Sequence, residues 1–493
     1  MRWLFLIHRY LGIAVGVLMV AWCISGAVMM YVRYPQLSSG ERLRHLEPLE
    51  WGRCCVVSEG SLADEKPPAS DKPIDEFQVE MMAHEPVARV RFVDGETRLV
   101  GLSDGHVIES LSPHEAEAVA ATFGRGEDRS SRPRLEGRID YDQWTVSGEF
   151  NPARPLFRFA LGDAAGTRLY VSGVSGRVVQ ATTARERFWN WLGAIPHWLY
   201  FAQLRRNVAL WSQVVIWTSL IGCFLAFTGL WLGIRQLLRQ SNRNAPPYRG
   251  ILFWHHVPGL IFGLFALAWV ASGFASMNPW GFLDGDADAG RLAAQRLRGT
   301  PLSAEQVKAS LLSLPAVAKL PGIVSVESTL LDSRLYLVVT TQDGGRWRFN
   351  GAGVSDRIDG GDWMRIVRAL GGNERTEPKV LTEGDEYYFD RHGTETLPVY
   401  RIIANDRQQT RYYLDPLTGV PLASFDGDAQ WYRWLHQGVH TLDFTPVLRA
   451  RPSWDFLMLL LLGGATTVCA TGTYLAIRRI SRPLRRPVVP QNL

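Results

Sequence analysis

Four apolar runs constrain this chain more than any other feature: Leu11–Tyr31, Val208–Ile234, Ile251–Met277 and Trp454–Ile477. Each holds 21 or more residues with almost no charge. At ~1.5 Å per residue that suffices to cross ~30 Å of hydrocarbon, and core helices of soluble proteins are rarely so long and so uniformly apolar. The runs also come as two copies of one order. The segment Arg187–Arg235 repeats at Tyr432–Arg478, with Trp191 on Trp434, His197 on His440, Thr228 on Thr471 and Gly229 on Gly472, always 243 residues apart. The other two runs repeat likewise, placing His8 on His255, Gly12 on Gly259, Gly16 on Gly263, Trp22 on Trp269 and Ser25-Gly26 on Ser272-Gly273. The expected fold is therefore an α-helical membrane protein whose four transmembrane helices form a tandem A-B-A′-B′ duplication.

The chain divides accordingly. Helix A occupies 1–34, an external domain 35–186, an interfacial segment with helix B 187–235, and a connecting loop 236–250. Helix A′ follows at 251–277, a second external domain at 278–431, an interfacial segment with helix B′ at 432–478, and a basic tail at 479–493. Arginine sets the orientation. Arg2 and Arg9, then Arg235, Arg239, Arg243 and Arg249, then Arg478, Arg479, Arg482, Arg485 and Arg486 all fall on one side if the helices alternate. The positive-inside rule puts that side, with both termini, in the cytoplasm. Removing these eleven charges from the net +5 leaves −6, so the long loops are mildly acidic and nothing supports nucleic-acid binding. Ser25-Gly26-Ala27 resembles a signal-peptidase site, but the apolar run continues past it and recurs at Ile251–Met277, so the segment is read as retained.

Both long loops read as α+β. The first shows strand-like Val87–Phe92, Thr97–Leu102, Phe157–Leu161, Arg168–Ser172 and Arg177–Gln180, with a capped helix opening at Ser112 and an irregular stretch at Ser38–Asp75. The second shows a helix after Ser303 and strands at Arg334–Thr340, Arg346–Asn350, Val399–Ala404, Arg411–Leu414 and Val420–Ser424. Neither carries a phosphate-cradling glycine loop, a Ser/His/Asp set or HExxH. Of five cysteines, Cys23, Cys223 and Cys469 lie within apolar runs and read as small hydrophobes; Cys54-Cys55 read as two thiols, or as a pair with no role, sooner than as a vicinal disulfide.

The histidines carry the chemistry. An imidazole in a membrane span is costly and usually faces the bundle interior, where it binds or pairs. His8 and His255 start the A-type helices at the inner edge, and His197 and His440 precede the B-type helices at the outer edge. One pair per face suits two haem irons, each held by two axial imidazoles from facing helices. The competing reading is an interfacial anchor, which the tryptophan-rich neighbourhood also fits. His256 lacks the spacing to glycine, and His436 lies four residues before His440 where the first copy has Gly193; both rank second. Gly12/Gly16 and Gly259/Gly263 suit either close helix packing or a flat macrocycle. Met30 and Met277 read as packing ahead of thioether ligation, and Arg187, Arg205 and Arg206 as solvated charges ahead of partners for propionates or an anionic chelate.

These marks together resemble the PepSY-associated transmembrane family: the histidine–x3–glycine start of each A helix, its Ser-Gly, the Thr-Gly of each B helix, and the phrases RLYVSGVSGRVV and RYYLDPLTGVPLASF. The resemblance covers nearly the whole chain. It implies two periplasmic PepSY-like domains on a bacterial inner-membrane protein. It also implies kinship with haem-containing ferric-siderophore reductases of the FoxB type. The expected function is a dihaem b-type cytochrome that reduces a periplasmic Fe(III) chelate or siderophore. The cytoplasmic segments are too short for a flavin domain, so the electron donor is expected to be a quinol or a separate reductase. A non-redox PepSY protein binding a peptide, a peptidase or another periplasmic partner is the alternative.

Overall fold

The computed structural model describes residues 2–58, 60–62, 72–124, 132–239, 248–283, 289–317, 320–351, 353–373, 376–391, 393 and 395–481. Arg243, Arg482, Arg485 and Arg486, counted above among the basic residues, lie outside them. Two compact units emerge. One comprises Met1–Tyr34, Phe188–Asp284 and Trp431–Leu493; the other comprises Pro35–Arg187 and Gly285–Gln430.

The first unit is helical. Helix A spans Arg2–Met29, helix B Val208–Arg239, helix A′ Ile251–Ser276 and helix B′ Ser453–Ile480. All four are long and apolar enough to cross a membrane. A packs on B and B′, and A′ packs on the same two, which sets A and A′ on one diagonal of the bundle. Helix A begins earlier than its apolar run, so His8 sits within it rather than at its start. The lipid-length surface is apolar outward as well: Val17, Phe224, Trp217, Ile261 and Leu264 are all more than half exposed, as a bilayer-facing wall requires. Met30 packs among Trp454, Met458 and Leu462, which is the packing role expected of it.

The second unit is built on a seven-stranded antiparallel sheet. Its first half is β1 (Ile74–Met82), β2 (Glu85–Phe92), β3 (Thr97–Gly101) and β4 (Val107–Ile108). Two smaller sheets contain β5 (Arg134–Ile139), β6 (Leu156–Ala160), β7 (Arg168–Ser172) and β8 (Val178–Thr182) in one, and β12 (Lys379–Leu381), β13 (Val399–Ile403), β14 (Arg411–Leu414) and β15 (Pro421–Phe425) in the other. The large sheet is completed by β9 (Ile323–Leu331), β10 (Arg334–Thr341) and β11 (Arg346–Asn350), in the order β11-β10-β9-β1-β2-β3-β4. The expectation of two separate external domains thus changes: both insertions contribute to one continuous sheet, because β1 pairs with β9 through Gln78↔Glu327, Val79↔Val326 and Glu80↔Ser325. Gln78 and Glu327 occupy equivalent places in their strands, so the seam has local two-fold character of the kind that lets a surface pair with its own copy.

The small sheets match at the offset already seen in the helices. In one, Asp142 accepts from Arg158 Nη1 at 2.6 Å and from the Tyr170 hydroxyl at 3.1 Å. In the other, Asp385 accepts from Arg401 Nη1 at 2.7 Å and from the Tyr413 hydroxyl at 2.9 Å. Each residue of the second trio lies 243 positions after its counterpart. Helix Pro113–Phe123 opens on the reciprocal box of Ser112 and Glu115, and helix Ala304–Ser313 on that of Ser303 and Gln306, satisfying donors that a bare helix start leaves unpaired. Cys54 and Cys55, read as thiols, are joined as a vicinal disulfide at the edge of the main core.

At the seam the sheet buries Glu80 with two guanidiniums. Arg42 reaches it at 2.6 and 3.0 Å and Arg89 at 3.1 Å. Burial alone would push this carboxyl up, but the charges of Arg89 and Arg42 outweigh it and bring it down to about 2. A depressed acid contributes stability above its unfolded value of ~4.3 and loses it as pH falls toward 2. Glu80→Ala would leave Arg89, only 6% exposed, without its counter-charge. The expected cost is about 3–5 kcal/mol, read as a lower denaturant midpoint at neutral pH. The gap to wild type should narrow between about pH 4 and pH 2.

Candidate functional site

All four repeated histidines turn into the helical bundle, and they do so as two pairs. The His8 and His255 rings are 6.2 Å apart between centres, and the His197 and His440 rings 6.0 Å. Two imidazoles bound to one metal from opposite sides need about the same spacing. A metal–nitrogen bond of about 2.0–2.1 Å plus a ring radius of about 1.1 Å, taken twice, gives about 6.2–6.4 Å.

Hydrogen bonds choose which nitrogen each ring offers. His8 Nδ1 lies 3.2 Å from the Leu225 carbonyl on helix B, and His255 Nδ1 lies 3.1 Å from the Val468 carbonyl on helix B′. A carbonyl only accepts, so Nδ1 carries the proton and Nε2 keeps its lone pair. Thr228 and Thr471 add hydroxyl acceptors at 3.4 and 3.3 Å, their own protons committed to carbonyls one turn back. The outer pair follows the same rule with serine. Ser25 Oγ is 3.1 Å from His197 Nδ1 and donates to Trp22 O, while Ser272 Oγ is 2.9 Å from His440 Nδ1 and donates to Trp269 O. With its hydroxyl donating to that carbonyl, each serine offers its oxygen as acceptor to the ring's Nδ1. This arrangement favours, for all four imidazoles, the tautomer in which Nε2 can bind a metal, through the kind of outer partner that orients metal-bound histidines.

The backbone supports this placement in matched ways. His197 lies in the short helix Ala194–Trp198 and His440 in Val439–Thr441, and each is followed by a leucine in the left-handed region, Leu199 at φ 52° and Leu442 at φ 54°. Non-glycine residues avoid that region, so its recurrence marks turns that their surroundings enforce. Trp211 Nε1 donates to the Trp198 carbonyl at 2.9 Å and Trp454 Nε1 to the Thr441 carbonyl at 2.7 Å, pinning both turns to the B-type helices. Glycine makes room for the rings. A Cβ on Gly229 would stand 2.8 Å from His8 Cε1, one on Gly472 2.9 Å from His255 Cε1, and one on Gly26 3.4 Å from His197 Cε1.

His8 and His255 both line a half-open cavity of about 690 Å³ in the bundle. That is inside the range of roughly 300–1,000 Å³ common for small-molecule and cofactor sites. Its walls include Gly12, Gly16, Gly259 and Gly263, which keep the A-type helices flat where the space is. The second-rank histidines stand at the margins. His436 lies within the π-helix Arg433–Gly438, its ring centre 5.3 Å from that of His440 and its Nδ1 3.3 Å from the Ser272 carbonyl. His256 lines the cavity and meets Tyr248 edge-on at 5.2 Å. Among the arginines considered for the outer face, Arg187 instead donates to Thr182 and Gly166 in the β-rich unit. Arg205 lies over the rings of Tyr200 and Trp211.

Sequence reading marked Ser-Gly and Thr-Gly as repeated but gave them no task; the serine and threonine are the acceptors that fix the histidines. Compared with protein-family models the chain finds no match, and compared with curated proteins it finds none either.

Proposed function

We propose that this chain is a duplicated, inner-membrane dihaem b-type cytochrome of PepSY-TM type that passes electrons outward to a periplasmic Fe(III) chelate, a siderophore complex first among them. The single observation that carries the reading is the recurrence of one arrangement twice: paired imidazoles at metal-bridging distance, each with Nδ1 occupied and Nε2 free. His8 and His255 would hold the inner group, His197 and His440 the outer one. Haem bound in this way supplies one-electron exchange between its ferric and ferrous states. The protein would support that exchange by fixing the orientation of the four imidazoles and by burying them among apolar helices. The arginine bias favours an orientation with both termini in the cytoplasm and the two long insertions in the periplasm. A quinol or a separate reductase is the donor that fits.

The acceptor is tested by reducing purified protein with dithionite, removing the excess and mixing with defined ferric chelates. Reoxidation that speeds up with chelate concentration, with one Fe(II) formed per electron lost, is the expected result. A rate no different from buffer alone ends the reductase assignment while leaving the cytochrome intact.

A further inference from the structure

The inner cavity has a feature that the histidine pair leaves unexplained. Its apolar walls are matched between the two halves, Phe5 with Leu252, Gly12 with Gly259 and Gly229 with Gly472. Its charges are not. Arg9 answers to His256, and Arg479 to Gln236. Arg249 and Arg478 line the cavity, whereas their repeat counterparts Arg2 and Arg235 do not. Four cations thus converge on one cavity that no aspartate or glutamate lines among the described residues.

The topological bias for arginine explains which side of the bilayer these residues occupy. It does not explain why four of them border one half-open cavity. Like charges gathered there repel one another, and a dianion would relieve that repulsion through charge-assisted, bidentate hydrogen bonds. Walls that obey the pseudo-symmetry together with a rim that breaks it suit a ligand that is flat and apolar over most of its outline and acidic along one edge.

We propose, resting on the cofactor reading above, that Arg9, Arg249, Arg478 and Arg479 take the two carboxylates of the porphyrin held between His8 and His255. The rim then selects one in-plane orientation, with the acidic edge toward the helix ends and the apolar edge toward the bundle centre.

The test uses the full chain carrying His197→Ala and His440→Ala, stripped of pigment, so that only the inner site remains. It is titrated with ferric haem b and, separately, with its dimethyl ester, which lacks both negative charges; binding is read from the Soret band. Haem b should bind at least about tenfold more tightly than the ester, since each lost charged hydrogen bond is worth about tenfold or more. Arg478→Ala with Arg479→Ala should weaken haem b by about tenfold and leave the ester unchanged. Added salt should weaken haem b alone. Equal affinities for haem b and the ester overturn the proposal, as does an arginine variant that weakens both alike. Failure of both porphyrins to bind is a different outcome: the cofactor reading falls, and this inference with it.

Discussion

On the dihaem proposal, alanine in place of His197 or His440 should remove about half of the bound haem and leave the other half with an unchanged low-spin spectrum. The reasoning is geometric. A b-type haem has no covalent tether, so its retention depends on two axial bonds and on packing. The ring centres of this pair are 6.0 Å apart, and among the described residues one further imidazole, that of His436, lies against the pair. His436 comes nearest, but its ring centre is 5.3 Å from that of His440 and its Nδ1 is turned to the Ser272 carbonyl. His436→Ala should therefore keep both haems, which makes it the control for general damage to this region. The matching change at His8 or His255 should remove the other half. Full haem content in both His197→Ala and His440→Ala would refute the outer pairing.

The second large effect comes from glycine. Gly229→Val and Gly472→Val should each empty the inner site while the outer one stays filled. A side chain at either position begins under 3 Å from an imidazole carbon. The ring cannot retreat without giving up its bond to Leu225 O or Val468 O. Valine sits comfortably in a lipid-facing helix, so the loss is specific to the ring it displaces. Gly273→Ala supplies the contrast. No atom lies within 4 Å of its added Cβ, and the exchange should be neutral or slightly stabilising because glycine costs ~0.5–1 kcal/mol within a helix. Haem per chain, measured after purification in detergent, reads all three variants. Equal loss at Gly229 and Gly273 would mean that these positions matter for helix packing alone.

Much of the bundle is legible in the sequence because lipid imposes one simple rule, a long uncharged run, and the chain states it four times. The histidines are legible for a related reason, since each recurs at a fixed offset beside a span. Their partners are not. Thr228 and Ser25 reach His8 and His197 across 220 and 172 residues, and no local pattern announces a hydrogen bond over such a separation. The central strands β1 and β9 are absent from the sequence reading for a different reason. Each enters its hairpin through two residues of positive φ, Ala83-His84 and Asp332-Ser333, where the usual signal is Asn-Gly or Asp-Gly. Deprived of that punctuation, the alternation in Ile74–Met82 merges with the irregular stretch before it. The shared sheet is illegible in principle, because strand pairing between insertions separated by two spans depends on tertiary placement and not on any local propensity.

One determination bears most directly on the central claim. The purified chain, extracted with mild detergent, is assayed for haem by its pyridine haemochrome and for ligation by the spectrum of the reduced against the oxidised form. Two haems b per chain, both low-spin with nitrogen on each axial side, is the predicted result. A chain that folds, melts cooperatively and carries no Soret band contradicts it, and the paired imidazoles would then be nothing more than buried, well-bonded side chains.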